Sequence, residues 1–297
     1  MKKLIALLMA ALLVFAFAGC AKTNDDGSST NPDANNNANA DVDADADADV
    51  KPGTDDKLPE DADDAESDLA YVLDKGTLVV GITEYKPMDY KEEGSDEWTG
   101  FDAEFAKAFA EELGVEVEFI EIDWDNKVFE LDTKEIDCIW NGMTITPELE
   151  IQTTISNPYV RNAQVVVMAA DKVANYKDAA SMADLSFAVE AGSAGEKEAE
   201  NNGYDYTSLL TQADALMEVQ SGTADACIID ITMANAMTGE GTSYAKLAKG
   251  IELSSEEYGV SFRKNSDLVN ELNKFMTENK DSVLTPLATK YELTLAF

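Results

Sequence analysis

Apolar and polar positions divide this 297-residue chain into three stretches. Residues 4–17 form an unbroken apolar run behind Lys2 and Lys3, whereas residues 21–67 carry almost no large apolar side chain. From residue 68 onward, apolar positions recur with the periods of strands and helices. Thr77-Leu78-Val79-Val80-Gly81-Ile82, bounded by Lys75-Gly76, predicts a buried strand. Phe101, Phe105, Phe109 and Leu113 fall on one helical face, and Gly114 supplies the stop. Residues 115–122 alternate Val, Phe and Ile with Glu, the pattern of a half-exposed edge strand. Strands alternating with helices predict a mostly parallel sheet and an α/β fold class.

One pattern occurs twice. Residues 135–142 (Glu-Ile-Asp-Cys-Ile-Trp-Asn-Gly) return in form as residues 223–230 (Thr-Ala-Asp-Ala-Cys-Ile-Ile-Asp), each an apolar strand ending in a polar residue. Residues 77–83 and 186–194 each run from a strand through small residues towards a helix. Two copies of one α/β plan imply two similar lobes. Ser156-Asn157-Pro158-Tyr159 and Tyr258-Gly259-Val260-Ser261 are the expected crossings between them, a two-strand hinge. The first lobe then comprises residues 68–159 and 259–297, and residues 160–258, with the hinge segments, form the second.

The ends and the charge narrow the function. Residues 1–19 have the layout of a lipoprotein signal peptide, and Ala18-Gly19-Cys20 places Cys20 as the lipidated first residue of the mature chain. The run at 4–17 falls short of the roughly 20 residues a spanning helix needs, so the expected contact with a membrane is the lipid. Residues 20–67, with Asp-Ala repeats at 43–49, cannot bury enough surface to offset their ordering entropy and read as a disordered acidic linker. A net charge of −37 opposes binding to nucleic acid. The absence of histidine removes the commonest general base and metal ligand, so no metal, no cofactor and no catalytic residue is expected. Cys138 and Cys227 lie in apolar segments and are expected to be buried free thiols.

A series of residues then resembles the extracellular solute-binding proteins of ABC importers, the polar amino acid-binding family 3. The series is Gly76-Thr77-Leu78-Val79-Val80-Gly81, Thr99-Gly100-Phe101-Asp102, Asn141-Gly142-Met143-Thr144-Ile145-Thr146-Pro147-Glu148, Ser156-Asn157-Pro158-Tyr159 and Glu190-Ala191-Gly192-Ser193-Ala194-Gly195, with Asp230. The resemblance implies a two-lobed type II periplasmic-binding-protein fold that closes on an amino acid or related small polar or cationic metabolite. Its implied partners are a membrane permease and an ATPase; no phosphate-loop motif occurs in this chain. A monomer is expected. By the same resemblance, Asp230 and the backbone near Asn141 and Gly142 hold the ligand's ammonium. Thr144, Ser193 and Ala194 hold its carboxylate, and Tyr85 and Trp124 pack on its side chain. Core packing is the other reading of both aromatics.

Helix N-termini with unpaired N–H groups are expected at Thr144 and Ser193. The pattern breaks at Leu149, where the resemblance implies a carboxylate-binding Arg. Three explanations follow: a ligand without an α-carboxylate, replacement by Arg161 or a nearby Lys, or retention by N–H groups alone. Glu84, Glu190 and Asp230 make the expected cleft acidic and favour a cationic ligand. A surface receptor without transport and a dehydratase are the competing functions.

Overall fold

Residues 67–297 are described by the structure, a computed structural model. The expected signal peptide, Cys20 and nearly all of the expected linker lie outside the described residues. Ser67, grouped with the linker on sequence grounds, instead caps helix α1 (Asp68–Lys75): its hydroxyl accepts the Ala70 amide at 3.0 Å.

Two five-stranded sheets carry the fold. In the first lobe, β1 (Thr77–Ile82) runs parallel to β4 (Glu116–Glu121) and β5 (Cys138–Ile139). β12 (Ser261–Phe262) and β6 (Thr154–Ile155) complete the order β4-β1-β5-β12-β6, and β2 (Tyr90–Lys91) with β3 (Trp98–Thr99) forms a separate ribbon. The second lobe orders its strands β11 (Leu247–Tyr258), β7 (Val160–Ala169), β10 (Ala226–Asp230), β8 (Ser186–Glu190) and β9 (Asp205–Leu209). β4 is an edge strand with little of it buried, as its Glu alternation requires.

Helices follow the strands. They are α2 (Phe101–Leu113), α3 (Lys127–Asp132), α4 (Pro147–Gln152), α5 (Ala194–Asn202), α6 (Gln212–Ser221), α7 (Ile231–Met237), α8 (Leu268–Glu278) and α9 (Thr285–Lys290). The phenylalanine face of α2 is fully buried, and Gly114 closes it in the left-handed conformation at φ 75°.

Strand alternation sorts the cores. Val165 and Val167 of β7 join the main cluster with Cys227 and Ile229 of β10, while Val166, Met168 and Ile228 face a second cluster. Cys138 and Cys227 are buried free thiols. Among the described residues, no helix is long and apolar enough to cross a membrane.

The chain passes from the first sheet to the second before β7 and returns after β11. These two long strands pair antiparallel, with Tyr258 opposite Val160 and Glu256 opposite Asn162. The register shifts between Lys249 and Glu252 and again between Glu252 and Ser254, irregularities that increase the local twist of the pair.

Candidate functional site

The carboxyl ends of β1, β5, β8 and β10 converge on one cavity of about 550 Å³, the place where open α/β sheets take their ligands. Asp230 ends β10 and is buried at 4% exposure. Its carboxylate accepts the Gln164 side-chain amide at 2.9 Å and the Tyr258 hydroxyl at 2.8 Å, and further amides from Asn162 and Gln212. Gln212 also accepts the Asp230 backbone N–H at 2.9 Å, so one side chain grips both ends of the residue.

Glu256 of β11 shares two of these donors. Its Oε1 accepts from Asn162 at 2.5 Å, Gln164 at 2.8 Å and the Thr144 hydroxyl at 2.9 Å. Glu190, at the end of β8, is also buried and accepts the Thr83 hydroxyl across the cleft at 3.4 Å. Burial pushes the Asp230 carboxyl up to about 8, and the charge of Glu256 adds to the rise against the Tyr258 and Gln212 donors. Burial likewise pushes Glu190 up to about 8, helped by Asp230 and opposed by Lys127. The buried carboxyls of Asp230 and Glu190 thus face one cavity, with the half-buried Glu256 on amides that Asp230 also uses, an arrangement that an ammonium group relieves.

The first-lobe wall depends on a glycine. Gly142 adopts φ 55°, and a Cβ there would lie 2.5 Å from Cε1 of Tyr85. Tyr85 therefore packs against bare backbone. Its hydroxyl reaches across the cleft to Thr232 at 2.5 Å and to Tyr258 at 2.6 Å. Behind this wall the Gly142 N–H donates to Asp102 at 2.6 Å, and Tyr159 donates to the same oxygen at 2.8 Å. Asn141 spends its side chain on Thr83 and Asp89, leaving main chain to face the cavity.

On the far side, Trp124 sits in a single 3-10 turn with Lys127 just beyond it. The Lys127 ammonium donates to the Trp124 carbonyl at 3.0 Å and to the Gly192 carbonyl at 2.9 Å, and so ties the two lobes together. A Cβ on Gly192 would fall 2.8 Å from Cα of Asp125. The lobes touch along this seam.

The sequence profile of the bacterial extracellular solute-binding proteins, family 3, matches residues 78–294, nearly the whole folded part. The chain belongs to that family. This solute-binding protein is 29% identical over 216 residues to the "Arginine-binding extracellular protein ArtP" of Bacillus subtilis (strain 168), covering 70% of this chain and 82% of ArtP. It is 29% identical over 229 residues to the "L-cystine-binding protein TcyJ" of Escherichia coli (strain K12), covering 75% of this chain and 85% of TcyJ. The solved structure of the ancestral amino acid-binding protein AncCDT-1, a precursor of cyclohexadienyl dehydratase, aligns with TM-score 0.69 and 32% identity over 76% of this chain and 99% of that one. ArtP and TcyJ are binding proteins by name, and the two-lobed α/β architecture is the type II periplasmic-binding-protein fold.

The eight positions singled out from sequence all line the one cavity of the solute-binding protein. Tyr85, Trp124, Asn141 and Gly142 come from the first lobe with Thr144, and Ser193, Ala194 and Asp230 from the second. Their surroundings differ from expectation in two places. Thr144 does not begin a helix, because the Thr146-Pro147 pair starts α4 two residues later and leaves Thr144 bridged to Tyr258 with its hydroxyl on Glu256. Ser193 does cap α5, but its hydroxyl is engaged by the Glu196 amide at 3.1 Å. Glu84 is exposed and does not line the cavity. Arg161, weighed as a replacement cation, is 63% exposed and points to Glu257. Leu149 packs in an apolar cluster with Trp124 and Met143.

Sequence reasoning missed Glu256, Asn162, Gln164 and Gln212. Asn162 and Gln164 stand two apart in a strand that is apolar apart from them and Arg161, which puts both on one face; that was the available signal. Nothing marked Lys127, which sits among acidic residues and reads as part of a solvated helix.

Proposed function

We propose that this solute-binding protein captures an amino acid with a cationic side chain and delivers it to an ABC permease driven by its ATPase. The observation that carries this reading is the shared set of amide donors around Asp230 and Glu256, with the buried Glu190 close by, in a cavity whose lining carries six acids against two lysines, Lys127 and Lys197. A ligand of net positive charge balances the remainder. Its α-ammonium sits at Asp230, and its side chain lies between Tyr85 and Trp124. The amides at Ser193 and Ala194 face its polar end. Ligand contacts made from both lobes shift an open-to-closed equilibrium, and the permease reads the closed form. In this reading Cys20 carries the lipid that keeps a monomeric binding protein near its permease; mass spectrometry of the mature chain tests that anchor, and an unmodified Cys20 refutes it.

A thermal-shift series tests the ligand class. Arginine, lysine and ornithine at about 100 times Kd are expected to raise the melting temperature by roughly 5–10 °C, the equivalent of about 2.7 kcal/mol. Glutamate and aspartate are expected to have no effect. Equal stabilisation by acidic amino acids contradicts the reading.

A further inference from the structure

Two lysines line the cavity, and they differ in kind. Lys197, on α5, is 63% exposed and paired with Glu200 at 3.0 Å. Lys127 is buried at 8% exposure and, among the described residues, forms no ion pair. An ammonium group has three N–H donors, and two of these go to the Trp124 and Gly192 carbonyls. Carbonyls solvate the charge without neutralising it. Glu190, Asp125, Glu196 and Asp123 act on it only at longer range, and burial is the larger effect, holding the ammonium below its ordinary range. The ammonium also lies 4.8 Å from the centre of the Trp124 ring, and a buried charge with its third N–H outside any hydrogen bond among the described residues, at the edge of a ligand cavity, is what a carboxylate completes. Leu149 offers no cation on the neighbouring wall, since it packs with Trp124.

We propose that Lys127 is a specificity-determining residue that receives the ligand's carboxylate, making the site bipolar, with carboxylates at Asp230 and Glu256 and an ammonium at the seam between the lobes. The proposal rests on the cationic-ligand reading above and deepens it. It selects zwitterionic amino acids over the amines formed from them by decarboxylation. It also ties selection to closure, because Gly192 of the second lobe must arrive before the ammonium is held in place.

Calorimetry with two matched pairs, arginine with agmatine and lysine with cadaverine, tests it on the natural protein and on Lys127→Met. The natural protein is expected to bind each amino acid about 30-fold or more tighter than its amine. Lys127→Met is expected to bring the ratio close to one through loss of amino-acid affinity, with amine affinity unchanged or improved. Lys127→Gln, which keeps a donor for the two carbonyls, is expected to do the same and serves if Lys127→Met does not fold. Equal loss for amine and amino acid in Lys127→Gln overturns the proposal and leaves Lys127 as a latch. A natural protein that binds amines as tightly as amino acids overturns it while keeping the cationic-ligand reading. Binding of neither member by the natural protein overturns both.

Discussion

Two groups of acids in this protein differ in how their charge is met. Behind β1, Arg263 donates to Asp68 at 2.8 Å and to Asp137 at 3.2 Å, Lys75 reaches Asp137 at 2.5 Å, and a further Arg263 N–H meets the Ile136 carbonyl at 2.8 Å. Each acid there has its cation from within the chain, and the group clips α1 to the first sheet. Around the cavity, Asp230 and the half-buried Glu256 receive only amides and hydroxyls, and the charge of Glu256 raises the cost of ionising Asp230. Neutral donors solvate a carboxylate but do not cancel its charge. The first group therefore holds the fold together, and the second is a standing demand for a cation that only a ligand satisfies.

Removing charge should act in opposite directions in the two groups. Arg263→Ala strips both acids of their guanidinium and is expected to cost about 3–5 kcal/mol of stability, lowering the melting temperature by roughly 10 °C with little change in Kd. An unchanged melting temperature would erase the contrast. Glu256→Gln removes the repulsion on Asp230 and is expected to stabilise the ligand-free protein at pH 8 by about 1 kcal/mol, or roughly 2–4 °C, while weakening cationic ligands. Destabilisation there would mean that Glu256 serves the fold.

The pH dependence sharpens the same point. Asp230 and Glu190 titrate near 8 when folded, well above the ordinary carboxylate range, so the folded state holds protons that the unfolded chain releases. Stability from these two groups is complete below about pH 4 and is lost as pH rises towards 8, by at most about 1.4 kcal/mol per pH unit for each group. Thermal melts from pH 5 to 8 should show the natural protein losing ground to an Asp230→Asn, Glu190→Gln double variant, and a saturating cationic ligand should abolish that loss. Parallel melting curves would remove the carboxylate demand.

Much of this layout was legible in the sequence because it depends on local pattern. β1 and α2 announce themselves through strand and helix periodicity, and Gly114 ends α2 where it stands. The residues at strand ends, Asn141, Gly142, Ser193 and Asp230, follow apolar runs and so fall at the mouth of the sheets. What was hidden depends on register and closure. Glu256 meets Asn162 only through the pairing of β11 with β7, and a slip of one residue would turn it to the other face. Lys127 looks like any charge on a short acidic helix until Gly192 of the other lobe closes over it. The position of Thr144 was misjudged because the proline of α4 fixes the start of that helix later.

The central claim is that the Asp230 carboxylate awaits a ligand ammonium, and calorimetry of arginine binding to the natural protein and to Asp230→Asn at pH 7.5 tests it most directly. The account predicts at least about a 100-fold loss of affinity in the variant, the scale for removing one partner of a buried charge pair, with a melting temperature for the ligand-free variant equal to or above that of the natural protein. Retained affinity, or lost affinity accompanied by a lowered melting temperature, would contradict it.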